Sequence, residues 1–175
     1  LFVSNNCRIK GLGYLMKALA KIKKEDHPPF KLLVLGRDRK VPYLRLARKI
    51  GVSEEMVFAG STGEPEKYYG AADLLVHPTF YDACSLTVLE ALATGLPAIT
   101  TLSNGANGII THREDGWVIG DLKNENELRM AIRFFLEKEN WERSSYQARS
   151  KAEIYSEELN YNQMMGIFKE AIKKH

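Results

Sequence analysis

The sequence is short of several things, and each shortage narrows the reading. It holds two cysteines, Cys7 and Cys84, with no metal-ligand spacing and no pattern of a disulfide framework. A reducing, cytoplasmic compartment is the expectation that follows. No apolar run approaches a membrane span; the longest, LLVLG and DLLVHP, are strand-length. No signal peptide is visible. The chain opens inside an apolar run, LFVS, without a methionine, so we expect a fragment whose natural N-terminus lies elsewhere. Charge of one sign is also scarce: the net of +3 is too small to dictate a partner. Lysines gather in KALAKIKKE and KEAIKKH, on expected helices. They read as solvated faces, with attraction to an anionic partner or a membrane surface as the alternative. No motif for nucleic acid accompanies them, and nucleic acid is not an expected partner. Neither G-x-G-x-x-G nor a Walker A loop occurs, which argues against nicotinamide and P-loop chemistry. Internal repeats, low-complexity segments and linkers are missing too.

What is present is an ordinary globular composition, 45% apolar and 27% charged over 175 residues, enough for one domain with a real core. β-Rich runs fall at 1–4, 31–36, 56–60, 73–77, 97–101 and 117–119. Between them, helical periodicity covers 12–25, 41–50, 64–72 and 85–94, with a loose turn near 105–111. The strand runs are continuously apolar rather than alternating, as in strands buried on both faces of a parallel sheet. Residues 124–174 read as helix alone, ENELRMAIRFFLEK being strongly amphipathic. The expected fold class is α/β: a single Rossmann-like domain. It has a doubly wound parallel sheet of about six strands, helices on both faces and a helical C-terminal tail.

Such sheets bind ligands outside the carboxyl ends of their strands, where strand order reverses. The loops of interest are therefore 5–11, 36–40, 60–63, 78–84 and 102–108. In SNNCRIKGLG, Gly11 and Gly13 flank a helix start and Arg8 and Lys10 precede it. Either this is an anion site built from helix-end N–H groups and cations, or it is a turn with basic residues in water. In HPTFYDACSLTVLEALATGLPAITT, a helix starting near Ser85 would direct the N–H groups of Cys84 to Thr87 into the loop, fit to hold a phosphate. Glu90 would lie about 7 Å along the axis, leaning back toward the same cleft. There it is placed to accept the hydroxyls of a ribose, with Asp82 at the mouth. The competing reading makes Thr87, Glu90 and Thr94 a solvated helix stripe and Asp82 a cap or loop acid. His77, before Pro78, reads as a structural residue; His27, His112 and His175 read as loop or tail residues.

These residues resemble a known family. An acid, seven residues, Glu, then A-x-A-x-G-x-P looks like the E-x7-E signature of retaining GT-B glycosyltransferases of family GT4, also called group 1. FVSNNCRIKG, LLVLGRD, VFAGST, YYGAADLLVHPTFYDACSLTVLEALATGLPAI and REDGWVIGDLKNENELRMAI follow in the family's order and span nearly the whole chain. The wording is most similar to bacterial lipopolysaccharide-core glucosyltransferases.

The resemblance implies that residues 1–175 are the donor-binding, C-terminal half of a two-domain enzyme, with the acceptor domain absent. It implies retaining transfer from a nucleotide-sugar, a UDP-hexose, to a glycan or lipid-linked acceptor in cell-envelope polysaccharide or lipopolysaccharide synthesis. The enzyme would be cytoplasmic, at the inner face of the membrane, with no metal and no cofactor. By the same resemblance Lys10 and Arg8 pair with the diphosphate and Asp82 contacts the donor sugar. Glu90 binds the ribose. Backbone amides of Ala83, Cys84, Ser85, Leu86 and Thr87 hold the phosphates, and Gly36–Arg37 and Gly60–Ser61 frame the base. Departures are plain: Asp82 stands for Glu, Ser4 where the family's Arg usually stands, Gly108 where a Glu aligns, and Ala83 and Ser85 where it has glycines. A GT-B-fold sugar-nucleotide epimerase and a non-catalytic nucleotide-binding domain with a degenerate site remain the alternatives.

Overall fold

A computed structural model of the chain describes residues 1–25 and 27–173; His175 lies outside them. Six short strands alternate with helices, as the sequence predicts. They are β1 (Phe2–Val3), β2 (Leu32–Leu35), β3 (Met56–Gly60), β4 (Leu75–Val76), β5 (Ala98–Thr101) and β6 (Gly116–Ile119). The intervening helices are α1 (Leu12–Ile22), α2 (Val41–Ile50), α3 (Pro65–Gly70) and α4 (Leu86–Ala93), with a 3-10 turn at Gly105–Ile109. The tail is three helices, α5 (Glu125–Leu136), α6 (Lys138–Glu153) and α7 (Glu157–Lys173).

The strands pair in parallel as two three-stranded ladders, β1-β2-β3 and β4-β5-β6. The backbone joins the ladders where β1 meets β4: the Leu1 nitrogen donates to Leu74 O at 2.7 Å, and Val76 N–H donates to Leu1 O at 2.9 Å. The spatial order is thus β3-β2-β1-β4-β5-β6, the doubly wound arrangement, with a short seam in place of a full fifth ladder. β1 and β4 are only two residues each, so they leave room for little more.

Both faces of the sheet are covered except at the edge strand β3, which buries none of its residues; the cover explains the unbroken apolar runs of the inner strands. Phe2, Val34, Val76 and Ile99 pack with α1, α2 and α5 on one side. Their chain neighbours Leu1, Leu35, Leu75 and Ala98 pack with α3, α4 and α6 on the other. Side chains alternate across a strand, so each two-residue step feeds both cores. Two buried threonines at the end of β5 carry hydroxyls into this apolar layer, and both are satisfied. Thr100 Oγ1 donates to His77 O at 3.0 Å and Thr101 Oγ1 to Thr79 O at 2.6 Å. They tie the exit of β4 to the exit of β5. Helix α7 buries none of its side chains.

Helix α2 stops at Gly51, whose φ of 78° is left-handed and whose N–H turns back to Ala47 O. A Cβ added there would meet nothing within 4 Å, so only the backbone conformation opposes a side chain. Gly51→Ala is expected to cost about 1 kcal/mol, read as a lower urea midpoint with an unchanged slope.

Candidate functional site

The chain runs β1, β2, β3 outward to one side, then crosses to β4 on the far side of β1. At this reversal, beyond the carboxyl ends of the strands, a cavity of about 390 Å³ opens. Its walls are Val3 to Asn6 after β1, Gly36 after β2, His77 and Asp82 after β4, and Cys84 to Thr87 at the head of α4, with Lys10 reaching in. A larger groove of about 670 Å³ lies at the other end of the strands, between Leu32, Leu74, Phe30 and Trp141, and its lining is chiefly apolar.

Backbone and side-chain hydrogen bonds lock the loops around the first cavity. Asn5 Oδ1 accepts from Arg37 N–H at 2.9 Å, and Asp38 Oδ2 accepts from Cys7 N–H at 2.7 Å, so the loops after β1 and β2 hold each other. Gly36 makes that approach possible: its φ is 136°, and a Cβ there would sit 1.8 Å from Ser4 O. Gly11, at φ 77°, opens α1 in the same way, since a Cβ would sit 2.1 Å from Pro78 O. The loop after β4 is pinned to the loop after β5 by Asp82 N–H to Ser103 O at 3.1 Å and Gly105 N–H to Asp82 O at 2.9 Å. Buried Asn104 is the hub. Its Oδ1 accepts from Ser85 N–H at 3.2 Å and Ala106 N–H at 3.1 Å, while its Nδ2 donates to Thr100 at 2.8 Å.

Three ionisable side chains meet on one carboxylate oxygen. Lys10 Nζ donates to Asp82 Oδ2 at 2.6 Å and to Tyr81 O at 3.0 Å. His77 Nε2 stands 3.4 Å from the same Asp82 oxygen and 3.4 Å from Ser85 Oγ. Desolvation opposes ionisation of Asp82, but the Lys10 hydrogen bond and charge, aided by His77, outweigh it and hold the carboxyl below its usual range. His77, 1% exposed, is pushed down to about 4, first by burial and then by the Lys10 charge. It is therefore a neutral imidazole at neutral pH. Its Nδ1 is buried without a hydrogen-bond partner among the described residues.

Helix α4 brings donors to the same place. Ser85 caps it in an extended conformation without a side-chain cap bond. The N–H groups of Ser85 and Val88 are taken, by Asn104 Oδ1 and by Ser85 O at 3.1 Å. Those of Leu86 and Thr87, in the first turn, have no intrahelical acceptor, and both residues line the cavity. One cation and a helix N-terminus beside it suit an anion.

Most of the residues singled out in the sequence are gathered here. Lys10, Asp82, Gly36, Cys84, Ser85, Leu86 and Thr87 line the cavity. Ala83 is adjacent, its carbonyl packed over Gly105. Arg37, Gly60 and Ser61 are exposed outside the lining; Gly60 contributes its carbonyl to Gly36 N–H at 2.8 Å. Arg8 is exposed and does not reach the cavity. Residues 6–11 wind as consecutive turns, with Lys10 N–H to Asn6 O at 3.1 Å and Gly11 N–H to Arg8 O at 3.3 Å. Positions two apart on such a turn face different ways, and the Arg8 charge acts instead on Tyr43 of α2. Glu90 is also exposed and outside the lining. One turn into α4 it leans toward α3, where its Oε2 accepts from Tyr69 at 2.6 Å. His77, read as structural from sequence, is a wall of the cavity. Ser4, Asn5 and Asn6 were not singled out as site residues; the SNN run after a strand was the available signal. Asn104 falls in the 102–108 loop of interest, but nothing in the sequence marks it as the hub.

The model of the family described as "Glycosyl transferases group 1" matches residues 1–155. The chain belongs to that family. The lipopolysaccharide glucosyltransferase WaaG of Escherichia coli is 31% identical over 124 residues, covering 71% of this chain and 33% of WaaG. The crystal structure of WaaG superposes with a TM-score of 0.77 at 27% identity, over 87% of this chain and 42% of that one. A glycosyltransferase structure from Rickettsia africae gives 0.86 at 22% identity, over 99% and 48%. That of Anabaena HepE in complex with UDP gives 0.82 at 18%, over 97% and 48%. The chain thus spans about a third of the length of its curated relative, and its fold is that of the C-terminal domain of GT-B enzymes. In it Ser4, the residue standing where the family's Arg is expected, does line the cavity, with its hydroxyl accepting from Asn6 N–H at 2.8 Å. Gly108 is exposed, with open space around its Cα.

Among the described residues no cluster of three or more His, Cys, Asp or Glu is arranged to hold a metal ion. No helix among them is long and apolar enough to cross a membrane.

Proposed function

We propose that the cavity holds the diphosphate of a nucleotide-sugar, a UDP-hexose, and that the chain is the donor-binding domain of a retaining hexosyltransferase. The observation that carries this reading is the convergence of Lys10, Asp82 and the first helical turn at Leu86 and Thr87 on one cavity at the strand-order reversal. Lys10 and the helix-end N–H groups would stabilise the charge that gathers on the diphosphate as the glycosidic bond breaks, without a metal. Asp82 would turn to the sugar hydroxyls, and Glu90, at the outer edge, would accept those of the ribose. The UDP in the HepE complex supports the choice of base, and the likeness to WaaG supports a sugar acceptor of the cell envelope, a glycan or a lipid-linked one. The acceptor would bind through a domain outside this chain, in a cytoplasmic enzyme working at the inner face of the membrane. Alone, this chain would bind donor and not turn it over.

Isothermal titration with UDP tests the reading. Saturable binding is expected, weakened about tenfold in Glu90→Ala, the size of one lost hydrogen bond to a charged group. No heat of binding up to millimolar UDP would overturn it.

A further inference from the structure

Tyr69 is 1% exposed, on the short helix α3, with its ring inside the core formed by α4 and β4. Packing alone would be served by phenylalanine. Its hydroxyl, however, donates outward to Glu90 Oε2 at 2.6 Å, across to an exposed residue 21 positions away. The Thr87 hydroxyl stands beside the same phenol, and Thr87 lines the cavity. Residues three apart share a helix face, and their side chains lean toward the N-terminus. Glu90 therefore continues the face that Thr87 presents to the cavity. Burial, then the Glu90 carboxylate, push the phenol well above the ordinary tyrosine range, so it stays a neutral donor at any working pH.

We infer that Tyr69 is a positioning residue that fixes the Glu90 carboxylate at the cavity edge, holding Oε2 so that Oε1 is presented to ribose hydroxyls. An exposed glutamate on a helix samples several rotamers, and ordering it at the moment of binding has an entropic cost. A phenol anchored in the core removes that cost beforehand. Selectivity for a ribonucleotide over its 2′-deoxy counterpart then depends on a side chain that never touches the ligand. The inference rests on the proposed nucleotide-sugar function and deepens it.

The test compares UDP with 2′-deoxyuridine diphosphate by titration calorimetry. The wild-type chain is expected to prefer UDP about tenfold. Tyr69→Phe, which keeps the packed ring, is expected to bring that ratio close to one by weakening UDP while leaving the deoxynucleotide unchanged. Glu90→Gln should do the same, and the double variant should add nothing to either single change. Melting curves for each variant check that the fold is kept. A ratio that collapses in Glu90→Gln but not in Tyr69→Phe overturns this inference and leaves the proposed function standing. Equal weakening of both nucleotides in Tyr69→Phe also overturns it, because that is general loosening of the site. If the wild type binds UDP without discriminating the deoxy form, the ribose role of Glu90 fails and Tyr69 with it. If it binds neither, the proposed function fails as well.

Discussion

Lys10→Ala is expected to weaken UDP binding about a hundredfold, and Asp82→Asn is expected to strengthen it several-fold. The opposite signs follow from one ion pair. Lys10 and Asp82 lie 2.6 Å apart with side chains only 19% and 17% exposed, so each largely neutralises the other. A diphosphate entering the cavity must draw Lys10 away from that carboxylate. Removing Lys10 takes away the one cation that lines the cavity among the described residues and also leaves Asp82 uncompensated beside an incoming anion, a combined cost on the order of 3 kcal/mol. Removing the charge of Asp82 frees Lys10 for phosphate and relieves repulsion. The gain is smaller, because the pair is partly solvated. The same Asp82→Asn change should abolish any added affinity for UDP-glucose over UDP, if Asp82 serves the sugar. Calorimetry on the two variants decides: a loss of UDP affinity in Asp82→Asn would show that the acid supports phosphate binding through Lys10 rather than competing for it.

The second large effect is on stability in acid. His77 titrates near 4 in the folded chain and near 6.5 when unfolded. Between those values the unfolded chain binds the proton and the folded chain does not, so stability is full above about pH 6.5 and falls as pH drops toward 4. A shift of this size corresponds to about 3 kcal/mol, and the side chain is buried, so solvent does little to reduce it. Asp82 acts in the same direction at lower pH: its depressed carboxyl contributes stability that disappears as pH falls through its folded value. Urea midpoints at pH 7 and pH 5 should differ clearly for the wild type and much less for His77→Gln. An equal drop in both would assign the acid sensitivity elsewhere.

How far the sequence reaches is visible in particular residues. Apolar runs placed all six strands within a few residues; for β2, β4 and β5 this is because a strand packed on both faces leaves no polar interruption, whereas the edge strand β3 is apolar without being buried. The start of α4 was legible from the loop signal before Ser85, and with it the donors at the head of the cavity. The seam between β1 and β4 was not legible, since nothing in LFVS or LLVH distinguishes two bonds from a full ladder. Arg8 lies outside the lining although it is close to Lys10 in sequence, because that proximity says nothing about the turn that separates them. His77 looked structural at a strand end, and only the fold brings Asp82 and Ser85 to its ring. Tyr69 was silent because its periodicity belongs to the core, and the one polar atom that matters points the other way. Asn5 and Asn104 join loops that are far apart along the chain, and such contacts leave no periodic trace.

The two cysteines divide into a hidden and an open one. Cys7 is buried, with its thiol pushed up to about 12 by burial and by Asp38, whereas Cys84 is exposed at the cavity wall. Thiolate is the reactive form, so the chain carries a natural attachment point for a maleimide fluorophore beside the proposed ligand. An environment-sensitive dye there would sit where solvent is displaced on binding, giving a label-based readout without engineering a new residue.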